Sequence, residues 1–460
     1  MERLRGLDTA FLYLETPTNH LHVAWAAVLD TSEAPGAAHA GRLADLVGAR
    51  LHRLPALRKR LASSRLGYTQ PDWIDVGVDP ADHIVRHDDG DLETVAARVL
   101  STPLDRRRPL WEMHIVPDLP GARTGLIVKL HHAVLDGPSG AELMVQLLDL
   151  EPTPAVTTDV VDPAPPERAP SPADLKAVAR KRGARGVARA VAGVRQAADV
   201  GAATSRWDLL HPAAVTRLPL TVPRTLFNQP VTGRRVVRWV DVSLDAIDEW
   251  RRDTGSTVND AVLALTGGAL RRYLLDHDAL PLAPLVAMVP ISQRDSGPAT
   301  GGNHLSALFT TLGTDIADAS TRLAEVTRVT RLAKRRHDGT GLGALTDLTD
   351  LVPPRAGQGF ARLARRVRLS AWSPLMFNLV VSNVPGPDVP FYCNGAIVET
   401  AIPMGPITDW SAVNVTVVSY RRTLTFGVVA CPDVVHDIDR LMDHLHAELD
   451  RLRLVAARAG

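Results

Sequence analysis

The stretch Leu126–Gly137 reads LIVKLHHAVLDG: an apolar, partly β-branched run ends in two histidines, and an aspartate and a glycine follow. Such a run is typical of a buried strand, so the pattern predicts a strand that delivers His131 and His132 into a loop. Neighbouring strand residues point to opposite faces of a sheet, so both histidines cannot face one substrate. The stretch therefore predicts a fold that contains sheets, with one chemically active histidine at a strand end.

A histidine in this place is suited to accept a proton. The imidazole pKa is near 6.5 and a hydroxyl resembles water at about 15.7, a gap of roughly nine units or about 12 kcal/mol. Proton removal must therefore accompany attack on an electrophile, and the developing oxyanion needs a hydrogen-bond donor. The blander alternative is an ordinary core or surface histidine.

A metal site is the other alternative, because His132 and Asp136 stand four residues apart. We expect no metal, since no HExxH motif and no evident third ligand accompany the pair. Asp136 is instead expected to support the loop.

Strand-like runs alternate with helical patterns along the rest of the chain, which predicts a mixed α/β or α+β fold. The predicted strands are 22–29, 111–116, 125–130, 234–242, 285–291, 376–384, 412–420 and 423–430. The predicted helices are 41–51, 92–100, 140–150, 258–275 with Thr257 as a possible N-cap, 318–335 and 438–454.

A proline-rich break divides the chain, with seven prolines between Glu151 and Pro172. Such a segment cannot form a core element. We therefore predict an N-terminal subdomain at 1–150, a linker and basic crossover helix at 151–222, and a C-terminal subdomain at 223–460.

Composition narrows the class of protein. The 460 residues carry 52 Lys and Arg against 51 Asp and Glu, a net charge of +1 that argues against nucleic-acid binding. Two cysteines without CxxC spacing are typical of the cytoplasm. No apolar run reaches eighteen residues, so any membrane contact is expected to be peripheral. No heptad seam or other signal indicates an oligomeric state.

Two basic amphipathic stretches, 173–198 and 360–369, bear on that membrane contact. Their arginines and apolar residues fit attachment to anionic lipid surfaces. They equally fit exposed helices that pack on the rest of the protein.

Several motifs resemble those of a known family. HHAVLDG matches the HHxxxDG signature of the CoA-dependent acyltransferase superfamily. The opening LDTAFLYLETPTNHLHV resembles the N-terminus of the bacterial wax ester synthase/diacylglycerol acyltransferase family. Further blocks follow in family order: PLW at 109–111, TVNDAVLAL at 257–265, LVAMVPIS at 285–292 and SNVPGP at 382–387.

The resemblance implies two chloramphenicol-acetyltransferase-like subdomains, with mixed sheets and flanking helices, joined by a long crossover and separated by a tunnel. It also implies transfer of a long-chain acyl group from acyl-CoA, a co-substrate, to diacylglycerol or a fatty alcohol, with no permanently bound cofactor. By the family pattern His132 is the general base and no covalent acyl-enzyme forms. Asp136 orders the loop, and His131 and Gly137 complete the motif.

Other residues in the family blocks have two readings each. Asn259 and Asp260 either line the tunnel and polarise the thioester carbonyl or cap the helix that follows. Ser382 and Asn383 either supply an oxyanion donor or stabilise a turn.

Two further assignments concern the surroundings of the active histidine. The first is that Pro109, Leu110 and Trp111 shape the acyl channel or the core. The second is that Arg294 is the cation that pairs with Asp136.

Two other functions fit the same residues. One is an acyltransferase that esterifies a secondary-metabolite alcohol, and the other is a non-catalytic lipid-binding or lipid-droplet protein.

Overall fold

The computed structural model describes residues 2–4, 9, 11–12, 14–62, 71–134, 140–153, 171, 173–174, 222–252, 254–292, 305–337 and 375–459. Within these residues the chain forms two six-stranded sheets, a small three-stranded sheet and helices that pack on them. The fold is therefore a mixed α/β fold, as the sequence predicts.

The described strands are, in chain order, β1 Glu2–Arg3, β2 His22–Asp30, β3 Lys59–Ala62, β4 Asp72–Asp75, β5 Ile84–Arg86, β6 Trp111–Leu119, β7 Arg123–His131, β8 Val236–Ser243, β9 Val286–Ser292, β10 Leu305–Thr311, β11 Leu379–Val384, β12 Tyr392–Cys393, β13 Ala396–Met404, β14 Val413–Tyr420 and β15 Thr423–Ala430. The described helices are α1 Ala40–Arg50, α2 Leu92–Ser101, α3 Gly140–Leu147, α4 Leu244–Arg251, α5 Val258–Asp276, α6 Ala319–His337 and α7 Ile438–Ala459.

The first large sheet has the strand order β12-β13-β2-β7-β6-β5. Its central pair is β2 and β7, which run antiparallel with His22 opposite His131. Strand β13 pairs antiparallel with β2, so chain beyond residue 390 completes a sheet whose other strands come from residues 22–131. The three-part division into 1–150, 151–222 and 223–460 stays a prediction.

The second large sheet has the order β10-β9-β11-β14-β15-β8. Strand β11 runs parallel to both of its neighbours, β9 and β14, while the remaining pairs are antiparallel. Helix α5 packs beside α6 and α7, and its residues are buried almost all around. A helix that is apolar around its whole circumference belongs in a core.

The two large sheets meet through a shared apolar cluster. It includes Ala24 of β2, Ile402 of β13, Val237 of β8 and Val429 of β15. The approach is closest at Gly427, where an added Cβ would lie 1.8 Å from the carbonyl oxygen of Pro403. The two halves of the chain therefore share one continuous interior.

The predicted helices and strands are present, with ends shifted by a few residues. The helix predicted at 140–150 ends at Leu147 because the backbone of Asp149 hydrogen-bonds to that of Tyr392. Eight elements were not predicted: α4, β1, β3, β4, β5, β10, β12 and β13. In β13 a bulge between Val398 and Thr400 interrupts the pairing, so the pattern AIVETAIPM lacks a clean alternation.

Candidate active site

The histidine pair lies where strand β7 ends. His131 is the last residue of the strand, and His132 opens a short 3₁₀ turn that runs to Val134. The backbone N–H of His131 donates to Leu110 O at 3.0 Å, and that of His132 donates to Leu21 O at 3.0 Å. Neighbouring chain on both sides thus fixes the backbone at this strand end.

His132 lies against an aromatic ring. The centroids of the Phe11 and His132 rings are 4.0 Å apart, and His132 Nδ1 is buried without a hydrogen-bond partner among the described residues. Burial lowers the pKa of His132 to about 4. His132 is therefore a neutral imidazole near pH 7, the form that can accept a proton.

His131 is held in a different way from its neighbour. Its Nδ1 accepts a hydrogen bond from the Ala133 N–H at 3.1 Å, and its Nε2 lies 3.3 Å from Glu15 Oε2. A nitrogen that accepts carries no proton in the neutral ring, so the geometry assigns the proton to Nε2, facing Glu15. His131 thus connects a carboxylate to the backbone of the turn that carries His132.

Glu15 is a site residue to which the sequence analysis assigned no role. Its carboxylate accepts from Arg106 Nε at 2.9 Å as well as facing His131. Burial acts to raise the Glu15 pKa, but His131 and Arg106 outweigh it, and the net pKa is below its usual value. The available signal was its position in the opening block, directly after the mostly apolar run AFLYL at 10–14.

A second layer of buried charge lies on the same face of strand β7 as His131. The Lys129 side chain is fully buried, and its ammonium donates to Thr102 O at 2.6 Å and to Glu112 Oε2 at 3.2 Å. Glu112 also lies 3.3 Å from His114 Nε2. Burial lowers the pKa of Lys129, although the charge of Glu112 opposes that shift.

The Pro-Leu-Trp block lies in the core beneath the histidine pair. The Trp111 indole stacks on the His83 ring at a centroid distance of 4.2 Å and donates to Leu57 O at 2.8 Å. Leu110 and Trp111 are each 1% exposed, and the Leu110 carbonyl accepts the backbone N–H of His131. The block therefore packs in the core and holds the end of strand β7 through the Leu110 carbonyl.

Asp260 takes part in helix capping. Its carboxylate accepts from the backbone N–H of Thr257 at 2.9 Å and from its hydroxyl at 2.8 Å. Thr257 in turn accepts from the Asp260 N–H, which completes a capping box at the start of α5. The neighbouring Asn259 is partly exposed at the same helix end.

Ser382 and Asn383 lie in strand β11, where they pair with Thr416 and Val417 of β14. Both are partly exposed. They belong to the second large sheet, whereas the histidine pair ends a strand of the first. Asp136, Gly137 and Arg294 lie outside the described residues, as do most of the stretches 173–198 and 360–369.

The described ranges contain no group of three or more His, Cys, Asp or Glu side chains placed to hold a metal ion. None of the helices in these ranges combines the length and the apolar composition that crossing a bilayer requires.

Comparisons with known proteins agree with the motif pattern. Residues 4–262 match the family described as the wax ester synthase/diacylglycerol acyltransferase catalytic domain, and residues 301–453 match the WS/DGAT C-terminal domain. A putative diacylglycerol O-acyltransferase of Mycobacterium tuberculosis is 32% identical, over 98% of this chain and 90% of the relative.

Solved structures agree as well. The wax ester synthase/diacylglycerol acyltransferase of Marinobacter aquaeolei has a TM-score of 0.67 and 27% identity, covering 99% of this chain and 100% of that one. The first condensation domain of the calcium-dependent antibiotic synthetase shares the fold, with a TM-score of 0.56 and 16% identity, covering 99% of this chain and 97% of that domain. The predicted fold class and resemblance are thereby confirmed: the chain belongs to the wax ester synthase/diacylglycerol acyltransferase family and is an acyltransferase.

Proposed function

We propose that this protein transfers a long-chain acyl group from acyl-CoA to the hydroxyl of a lipid alcohol, with His132 as the general base. The observation that carries the proposal is the neutral His132 imidazole at a strand end fixed by backbone hydrogen bonds. The family membership of the chain supports acyl-CoA as the co-substrate, without a permanently bound cofactor.

The chemistry follows from the pKa of the base. An alcohol near 15.7 and an imidazole at about 4 differ by roughly twelve units, or about 16 kcal/mol, so the alcohol is not ionised in advance. The proton moves to His132 as the alcohol oxygen bonds to the thioester carbon and the carbonyl electron pair moves onto oxygen.

The second half of the reaction returns the proton. The tetrahedral intermediate collapses, the carbon–sulfur bond breaks, and the CoA thiolate takes the proton from the imidazolium. This transfer is downhill because a thiol has a pKa near 8.5. His132 never bonds to carbon, so no covalent acyl-enzyme forms.

The remaining catalytic roles complete the proposal. Ser382 or Asn383 supplies the oxyanion donor, Asp136 and Gly137 order the loop after His132, and Arg294 pairs with Asp136. Asn259 lines the tunnel.

Diacylglycerol is the acceptor we propose first, and a fatty alcohol second. The names of the Mycobacterium tuberculosis relative and of the Marinobacter enzyme support both acceptors. We place the reaction in the cytoplasm, at the inner face of the membrane or at a lipid droplet, because such acceptors are too apolar to dissolve in water.

The experiment follows free thiol release from palmitoyl-CoA by the purified full chain, with diacylglycerol, hexadecanol or no acceptor. We expect release that needs an acceptor and falls about 10²- to 10⁴-fold in His132→Ala. His436→Ala, a change of an exposed histidine, is the matched control and should keep wild-type activity. Release that is the same in His132→Ala as in wild type would refute His132 as the base.

Glu15 is proposed as a positioning residue that acts through His131. We expect Glu15→Gln to lower kcat roughly tenfold with little change in KM, because the His131 ring, which accepts the Ala133 N–H, loses its carboxylate neighbour. A tenfold change corresponds to about 1.4 kcal/mol in the activation free energy. Glu399→Gln, which removes a surface partner of Arg123, is the control. A changed KM with an unchanged kcat would contradict the positioning role.

A further inference from the structure

A cavity lies between the two large sheets, close to the histidine pair. It is partly open to solvent and just large enough for one water-sized group, and its walls come from both halves of the chain. The polar side chains in the wall are His20, His22 and Arg235, and Leu100, Gly405 and Val429 are among the apolar ones. Leu21, whose carbonyl binds the backbone of His132, also lines it.

Arg235 brings a buried positive charge to this cavity. It is 8% exposed, and its guanidinium donates to the carbonyls of Thr18 at 2.5 Å, Thr232 at 2.6 Å and Arg234 at 2.9 Å. A guanidinium has five N–H donors, so two remain. Within the described residues no carboxylate forms a direct ion pair with Arg235. The charge of Asp409 acts on Arg235 from a distance, and that carboxylate is bound by Asn19 and the Val231 N–H, so the buried charge is only partly compensated.

His22 brings an unsatisfied polar group to the same wall. It is 2% exposed, and in the described part of the chain neither ring nitrogen has a hydrogen-bond partner. Its nearest carboxylate oxygen, Glu15 Oε1, lies 4.0 Å from His22 Nε2, beyond hydrogen-bond distance, while Arg106 binds the other oxygen, Oε2. A buried imidazole is normally hydrogen-bonded, so an additional partner is expected.

His20 differs from His22 because backbone carbonyl oxygens lie within hydrogen-bond distance of both of its ring nitrogens. Its Nδ1 lies 3.2 Å from Leu100 O and its Nε2 lies 3.0 Å from Pro17 O. It therefore contributes shape to the cavity rather than a free ring nitrogen.

We infer that this cavity binds one small monovalent anion between the Arg235 guanidinium and the His22 imidazole. A single anion satisfies both groups at once: it accepts from the free guanidinium N–H and from a ring N–H, and it balances the buried charge. Chloride and a lone carboxylate group share this chemistry. The inference rests on Arg235 and His22 and not on the acyl-transfer mechanism proposed above.

Anion binding should be linked to protonation of His22. The groups that face this ring are Lys129, His131, His20, Arg235 and Glu15. Burial comes first and the charges of Lys129, His131, His20 and Arg235 follow in lowering the His22 pKa well below its usual value. A bound anion opposes both effects, so its affinity should rise as the pH falls.

The test measures Tm of the full chain while sodium chloride replaces sodium gluconate, which is too large for the cavity, at constant ionic strength. We expect a saturable increase of roughly 1 to 2 °C at ten times Kd, larger at pH 5 than at pH 7 because the His22 pKa lies well below 6.5. Sodium acetate in place of chloride tests the carboxylate. Equal Tm in all three salts would overturn the proposal and leave only water in the cavity.

Variants assign the effect to the site. His22→Leu removes a side chain that makes no hydrogen bond within the described part of the chain, so it should fold and abolish the chloride-dependent increase. Arg235→Lys keeps the charge with fewer donors and should weaken binding at least tenfold, and Arg234→Lys, on an exposed neighbour, is its matched control. An undiminished chloride effect in His22→Leu would also overturn the proposal.

Discussion

Two adjacent histidines have different surroundings in this protein. His131 accepts the Ala133 N–H at Nδ1, and its Nε2 lies 3.3 Å from Glu15 Oε2. His132 lies against Phe11 with its Nδ1 unpartnered among the described residues. The difference arises because one residue ends a strand and the next begins a 3₁₀ turn, so the two rings lie in different environments.

The lowered pKa of His132 predicts a pH dependence of stability. The folded pKa of about 4 lies below the unfolded value near 6.5, so the unfolded chain takes up the proton first. The free energy of unfolding therefore has its full value above pH 6.5, and it decreases by about 3 kcal/mol as the pH falls from 6.5 to 4. Urea unfolding of the wild type and of His132→Gln at pH 7.5 and pH 4.5 measures this.

The variant should show a smaller loss of stability between the two pH values than the wild type. His436→Gln, which alters an exposed histidine, should lose as much as the wild type. A wild-type pH dependence that persists in His132→Gln would contradict the burial argument.

At the scale of elements, helix α5 was the most predictable part of the second half. Thr257 was expected as its N-cap, and the Thr257 side chain does accept from the Asp260 N–H. The capping role of Asp260 could be predicted from the sequence because Thr257 and Asp260 have the three-residue spacing of a capping box. The burial of α5 could not be predicted in this way, because it depends on α6 and α7, which pack on α5 from distant positions in the chain.

Removing the cap at Thr257 should lower the stability of the protein. We expect Thr257→Ala to lower the free energy of unfolding by about 1 kcal/mol, because the Asp260 N–H loses its acceptor and the carboxylate loses a donor. Thr153→Ala, at an exposed threonine without a side-chain hydrogen bond among the described residues, should change stability by less than about 0.5 kcal/mol. Equal losses in the two variants, measured by urea unfolding, would argue against the capping box.

At the scale of the whole molecule, the two sheets are held at close range. Strand β13 pairs with β2 in the first sheet and also packs on β14 and β15 of the second. Gly427 of β15 faces the Pro403 carbonyl with no room for a Cβ. The wall of the inter-sheet cavity depends on the same contact, because Gly405 and Val429 are its near neighbours in the chain.

This contact predicts a large effect of a small substitution. We expect Gly427→Ala to lower Tm and to destabilise by about 1 to 3 kcal/mol, since the new methyl group forces the sheets apart. Gly77→Ala, where a Cβ meets nothing within 4 Å, should leave Tm nearly unchanged. Were Gly427→Ala as stable as the wild type, the sheets would have to be less tightly packed than described.

The sequence by itself determined the local features of this protein: most strands and helices, the cap at Thr257, the strand that ends in the histidine pair, and the family. Periodicity, capping and motif order are all written in neighbouring residues. Only the tertiary structure decided that Glu15 holds His131, that β13 joins the first sheet, and that His22 and Arg235 face one cavity. Those contacts join residues far apart in the chain, such as Glu15 with His131 and Thr18 with Arg235. Their geometry is set by packing, which sequence spacing does not encode.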